Sequence, residues 1–262
     1  MMKLEWAREY IDYRELFFFL VWRDIKIRYK QTILGASWAV IQPFFTMIVF
    51  TLLFGKLAKM PSDGIPYPLF SYSALLPWIY FSGALTNAGN SLISNVNLIT
   101  KIYFPRAIIP ASAALSGLVD FAIASVLLVG MMVYYQITPT WKLILWPVFL
   151  LPLVILAISG GMILAALNVN FRDIKYAIPF GIQLCLFITP VIYPTSIVPE
   201  QYQFLLALNP LTGIIENCRA TLMPTRSIDW QAFGISTCMI GLIMIIGILY
   251  FKKTERTFAD II

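Results

Sequence analysis

Apolar residues along this chain arrive in long unbroken runs, not in alternation with polar ones. No charged side chain falls between Leu143 and Phe171, and none between Tyr176 and Pro199. A helix needs ~20 predominantly apolar residues to cross a bilayer. Runs near that length lie at 34–54, 69–89, 110–134, 143–167, 177–193 and 231–251. The fifth is short and ends at "TPVIYP", where two prolines stop a regular helix. Lipid offers no partner to backbone N–H and C=O groups, and the runs do not alternate, so helices are expected and a barrel is excluded. The expected fold is therefore all-α and integral to the membrane, with six transmembrane helices.

Two flanking stretches read differently. In residues 1–32, Phe18, Trp22, Ile25 and Tyr29 recur on one helical face and Arg23, Lys26 and Lys30 on another, which predicts an amphipathic helix at the cytoplasmic interface. The remainder, 33–262, forms the transmembrane domain. Between the fifth and sixth runs, "FLLAL" and "LTGII" are too short to span, and Asn209-Pro210 separates them. This pattern predicts a re-entrant helical hairpin at about 197–225, with an outer surface loop as the alternative.

Composition sharpens the class. Of 262 residues, 60% are hydrophobic and only 12% charged, with a mean hydropathy of +0.80. Soluble domains carry about 25% charged residues, so a water-soluble fold is excluded. The first 30 residues hold charges of both signs, and no small-residue cleavage site follows "LFFFLVW", so no cleaved leader is expected. The net charge of +6 suggests the cytoplasmic bias of membrane proteins, not a nucleic-acid partner. With the N-terminus inside, 14 of the 19 Lys and Arg residues fall on the inner side, which predicts cytoplasmic termini. Trp38, Trp78, Trp141, Trp146 and Trp230 lie near span ends, where indoles favour the headgroup region. The absence of histidine removes imidazole acid–base chemistry and the usual zinc and haem ligands. Cys185, Cys218 and Cys238 show no metal-site spacing, so no metal is expected.

Three charges interrupt the greasiest part of the chain, Arg172, Asp173 and Lys175 in "NVNFRDIK". The orientation makes this a tight inner loop. It serves either to set topology or to dock a cytoplasmic partner, with Arg172 as a fork of donors, Asp173 as an acceptor, and Phe171 and Ile174 filling a pocket. Asp120 is the lone acid inside a run. It must face the bundle interior, be protonated, or find a partner. One acid without an intramembrane base gives thin support for a proton relay.

"LGASWAVIQP" (34–43), "ITKIYFPR" (99–106), "NVNFRDI" (168–174), "TPVIYP" (189–194) and "NPLTGIIENCR" (209–219) together resemble the permease subunits of polysaccharide ABC exporters, the ABC-2 type proteins that move lipid-linked O-antigen, capsular polymers and teichoic acids. The resemblance runs in order from about residue 16 to 256. It implies a homodimer of this chain with two cytoplasmic ATPase subunits in a bacterial inner membrane. ATP and Mg would be bound by the partner, and this chain binds no cofactor; it has no GxxxxGK[ST] loop to cradle phosphates. The resemblance further implies that the ATPase touches Phe171, Arg172, Asp173 and Lys175 together with Asn97, Lys101, Phe104 and Arg106. It also implies an outer gate in the hairpin, where Asn209, Pro210, Glu216 and Arg219 stand.

A polysaccharide path needs flat apolar faces beside hydrogen-bonding groups, which aromatic rings supply. Trp38, Gln42 and Phe45 share a helical face, and Tyr72, Tyr80 and Tyr193 join them as channel candidates. Arg28 and Lys30, with the turn at Leu34 and Gly35, sit where the amphipathic helix meets the first span. There they either receive a lipid phosphate from the inner leaflet or simply anchor the chain. Two other functions remain to be weighed. One is export of small hydrophobic molecules by the same architecture. The other is an intramembrane enzyme, for which the scattered Asp63, Glu200, Glu216 and Asp229 offer no acid–base pair.

Overall fold

The computed structural model describes residues 12–30, 34–223 and 226–258. It is 83% helical, and no strand occurs among the described residues, in line with lipid's demand for internal backbone pairing. In chain order the helices are α1 (Arg14–Lys30), α2 (Trp38–Phe50), α3 (Tyr67–Ser94), α4 (Val96–Lys101), α5 (Ile108–Tyr134), α6 (Trp146–Asn170), α7 (Ile174–Ile188), α8 (Glu200–Ala207), α9 (Pro210–Leu222) and α10 (Trp230–Thr254). A three-residue turn at Gly35–Ser37 leads into α2, and Thr51–Leu57 extends it as a π-helix. Lys3, Arg8, the start of the expected amphipathic region and the last two residues of the expected hairpin lie outside the described residues, as does the side chain of Arg256.

Four helical stretches are long and apolar enough to cross a membrane: Gly35–Leu57, Ile108–Tyr134, Trp141–Asn170 and Trp230–Thr254. The other two expected spans depart from that standard for different reasons. Helix α3 has 28 residues, ample length, but Ser71, Tyr72, Ser73, Tyr80 and Ser91 dilute its hydropathy. It can carry them because it is buried nearly end to end, between α5 and α6 on which it packs most extensively. Lipid never sees those hydroxyls. Helix α7 has 15 residues, about 22 Å at 1.5 Å each, short of the ~30 Å hydrocarbon core.

Close approach of backbones sets the bundle. A β-carbon on Gly161 of α6 would stand 2.4 Å from the Ala88 Cβ of α3, so the two helices cross where neither bears bulk. At one end of the bundle, Leu20, Leu92, Ile99, Phe104, Ile108, Val169, Phe251 and Phe258 close a single apolar cluster. At the other end, Tyr67, Phe70 and Met223 form a second, with Phe50 and Phe54 against it.

Helix α1 packs through more than the expected stripe. It seats through Leu16, Phe17 and Leu20, packing lengthwise on the first half of α5, while Phe18 and Trp22 stay 68% and 58% exposed. The helix is apolar on two sides, and from the stripe itself Tyr29 reaches Asp120 of α5. Two of the tryptophans expected at interfaces are also internal. Trp78 is buried beside Phe81, and Trp146 stacks on Phe121 at 5.2 Å.

Candidate functional site

The Gly35–Leu57 stretch is the least buried of the four long apolar stretches, with Phe45, Val49, Leu52 and Leu53 turned outward, while Ala39, Gln42, Pro43 and Thr46 of α2 front a cavity. The cavity, about 590 Å³, lies between α2, α3 and α5 and reaches the C-terminal end of α1. Its walls mix apolar Leu75, Leu76, Ile79 and Leu186 with Trp38, Gln42, Thr46 and Asn87. Gly35 stands at its edge with φ +49°, a left-handed turn that a β-carbon would strain, and open space surrounds it.

Asp120 of α5 faces this cavity and has found its partners. Arg28 Nη1 and the Tyr29 hydroxyl, both from α1, donate to its two carboxylate oxygens, and Arg28 Nη2 donates to Ser116 Oγ at 3.4 Å. Arg28 and Asp120 remain half-buried, each side chain 30% exposed. Burial, then the hydrogen bond to Asp120 and its negative charge, push the Tyr29 phenol up to about 12, with Arg28 acting the other way. One cavity thus unites Arg28 and Gly35 from the expected phosphate gate, Trp38, Gln42 and Tyr80 from the expected channel, and Asp120.

The remaining candidates of those two groups stand elsewhere. Lys30 and Leu34 are exposed outside the cavity. Phe45 is 60% exposed beside Phe44 and does not line the cavity. Tyr72 is fully buried away from the cavity and donates to the Ala124 carbonyl at 2.9 Å. Tyr193 donates to the carbonyls of Phe187 and Ile188 at 3.3 and 3.2 Å, closing the C-terminal turn of α7.

A second charged site lies at the far end. Asn209 caps α9, its side chain accepting from Leu211 N, and Pro210 takes the first helical position, where its missing N–H costs nothing. Helix α9 is buried from Leu211 to Leu222, whereas α8 before it exposes Tyr202, Phe204 and Leu205. Arg219, fully buried, pairs with Glu216 one turn earlier, donates to the carbonyls of Pro190 and Val191 at 3.0 and 3.2 Å, and stacks over Phe70 at 3.7 Å. Glu216 also receives Arg226, which reaches Asp63 at 3.0 Å. Gly213 meets α10 so closely that a β-carbon would stand 2.3 Å from the Ala232 carbonyl.

The inner-loop candidates divide. Phe171, Arg172, Asp173 and Lys175 are exposed, as are Asn97 and Lys101. Tyr103 and Tyr176 stand out beside them, Lys175 over the Tyr176 ring at 4.8 Å. Phe104 is instead buried in the apolar cluster with Ile99 and Val169, and Arg106 is tied to Glu255 of the C-terminal segment through its backbone N–H and its guanidinium. Phe104 is thus withdrawn from the surface, and Arg106 stays half-buried.

The family described as "ABC-2 type transporter" matches residues 15–223, most of the chain. The chain belongs to the ABC-2 type transporter family. It is 30% identical over 97% of its length to an O-antigen export system permease protein RfbA of Myxococcus xanthus, covering 98% of that protein. It is 28% identical to a protein of the same name from Klebsiella pneumoniae, with 92% of each chain covered. It is 26% identical to the polysialic acid transport protein KpsM of Escherichia coli, over 89% of this chain and 91% of that one.

In this ABC-2 chain, the sequence marked Tyr29 only as part of an apolar stripe and Asp63 only as a scattered acid, and it gave no role to Ser116, Arg226 and Asn168. The last donates from α6 to the Gly89 carbonyl at 3.1 Å and to Asn90 at 3.0 Å. A signal existed for Tyr29, next to Arg28 on the helix entering the first span. Arg226 and Asp63 are surface residues by every local measure, and only the fold joins them.

Proposed function

We propose that this chain is the permease subunit of an ATP-driven exporter that carries a lipid-linked polysaccharide of the O-antigen type from the cytoplasmic to the outer side of a bacterial inner membrane. The full-length similarity to export permeases named for O-antigen and polysialic acid carries this reading, and it weighs against export of small hydrophobic molecules. Two copies of the chain would work with two ATPase subunits, which bind the ATP and Mg; this chain supplies a path and not a chemical step.

The finer arrangement in this reading has six crossings, by α2, α3, α5, α6, α7 and α10, with both termini in the cytoplasm. Support comes from the Lys and Arg bias and from the exposed charges of the 171–175 loop. Helix α1 lies at the inner interface, and α8 with α9 forms the re-entrant hairpin on the outer side. The ATPase docks on Phe171, Arg172, Asp173 and Lys175 beside Asn97 and Lys101. A nucleotide-driven movement there reaches the spans only through contacts that differ between the two nucleotide states. The lipid phosphate enters beside Arg28, and Trp38, Gln42 and Tyr80 border the entry.

Deleting this chain is the decisive experiment. Polyprenyl-linked polymer should accumulate inside the cell; normal surface display would discard the reading. In the purified complex, Arg172→Glu should leave the chain inserted but lower transport-coupled ATP hydrolysis on the order of tenfold, the effect of one lost hot-spot contact. Unchanged coupling would return the loop to a topological role.

A further inference from the structure

Asp120 lies mid-way along α5, where an ionised carboxylate is costly unless partnered. Its partners come from α1, which reaches α5 from 92 positions earlier in the chain. A pair of this kind adds little net stability over apolar packing, since desolvation offsets most of the attraction. This pair also borders an open cavity instead of filling a core. Arg28 keeps donor capacity in hand: a guanidinium has five N–H groups in a planar fork, and here Nη1 serves Asp120 while Nη2 makes only the 3.4 Å contact to Ser116. A phosphate presents several acceptor oxygens to such a fork, where a carboxylate presents two.

Resting on the reading of Arg28 as the phosphate entry, we propose that Asp120 is an internal competitor for that phosphate. In the empty cavity the Asp120 carboxylate holds Arg28 and Tyr29, fastening α1 to α5. The phosphate or pyrophosphate group of an incoming lipid takes the Arg28 fork, Asp120 keeps the Tyr29 hydroxyl, and the end of α1 is released from α5. Apolar Leu75, Leu76, Ile79 and Leu186 line the same cavity and suit the first carbons of the lipid chain. The exchange makes entry selective: a neutral lipid cannot displace Asp120.

The test uses the permease–ATPase complex in nanodiscs, with polyprenyl phosphate in one series and phosphatidylglycerol in a second. If Asp120 occupies Arg28 for about nine-tenths of the time, freeing it tightens apparent binding roughly tenfold. Asp120→Asn is therefore expected to tighten lipid binding by several-fold, Arg28→Ala to abolish it, and Asp120→Asn added to Arg28→Ala to restore nothing. Tightening with polyprenyl phosphate alone assigns the site to the carrier lipid. Tightening in both series assigns it to membrane phospholipid as well, and either result upholds the exchange. Unchanged or weaker binding by an assembled Asp120→Asn complex in both series overturns it. Should that variant fail to assemble, wild-type protein with carboxyl-labelled aspartate decides. The Asp120 carboxylate stretch must shift in the infrared when polyprenyl phosphate is added, and a static band overturns the proposal. Failure here with intracellular polymer still accumulating on deletion leaves the export function standing.

Discussion

Two arginines carry the polar chemistry of this bundle, and they are built in opposite ways. Arg219 is sealed: its fork is shared among Glu216 and two backbone carbonyls, and its face lies on Phe70. Arg28 is half open, held by one carboxylate at the rim of a cavity and carrying spare donors. Both pair with an acid, yet burial decides what the pairing does. A sealed pair behaves as a fastener, because removing either member strands the other in a medium without water. A rimmed pair can trade its partner for another anion at small cost.

The largest expected effect tests the sealed site. Arg219→Ala should cost about 3 kcal/mol by leaving Glu216 Oε1 without its buried donor, Oε2 still being held by Arg226, seen as a lower yield of folded complex in detergent. Next comes Gly213→Ala, whose new methyl meets the Ala232 carbonyl; α9 and α10 must separate, at about 1–3 kcal/mol, read as a lower melting temperature. Arg28→Ala should stop polymer export while the complex still assembles, because the Tyr29 hydroxyl continues to hold one oxygen of Asp120, a split that a merely structural pair would not give. Asp63→Asn, on the exposed limb of the outer network, should shift melting by less than about 1 kcal/mol. Smallest of all, the Tyr29 phenol should titrate near 12 by ultraviolet absorbance. Its folded value lies above the ordinary value near 10, so its contribution is intact below pH 10 and fades as pH rises towards 12. In Asp120→Asn the midpoint should fall only part of the way back, since burial is the larger cause.

Local pattern revealed what depends on spacing. The long apolar helices and the break at Asn209-Pro210 follow from unbroken runs and a helix-stopping pair, whereas the Asn209 cap and the Glu216–Arg219 pair came only with the structure. Asp120 stood out as an acid in an apolar run, and the requirement for a partner was plain; which partner was not, because Arg28 arrives from another helix. Tyr72 and Tyr80 looked alike in sequence, each an aromatic beside small residues. The fold buries both and sends each hydroxyl to a carbonyl of α5, Ala124 for Tyr72 and Ala114 for Tyr80, and only the Tyr80 ring also lines the cavity. Helix α1 carries a surplus: with Phe17, Phe18, Phe19, Leu20 and Trp22 close together, more than one face qualifies as apolar, and packing on α5 takes Leu16, Phe17 and Leu20 while leaving Phe18 and Trp22 outside.

The closed environment of α9 bears on biogenesis. Arg219 and Glu216 would each cost ~2.5–3.5 kcal/mol on entering hydrocarbon as lone side chains, so this short segment has no stable place in lipid by itself. Its snug neighbour at Gly213 is α10, the helix synthesised after it. The partners of Arg219 at Phe70, Pro190 and Val191 precede it in the chain, so its charge has a housing as soon as α9 emerges. Only the backbone contact at Gly213 must wait for the last long helix to arrive.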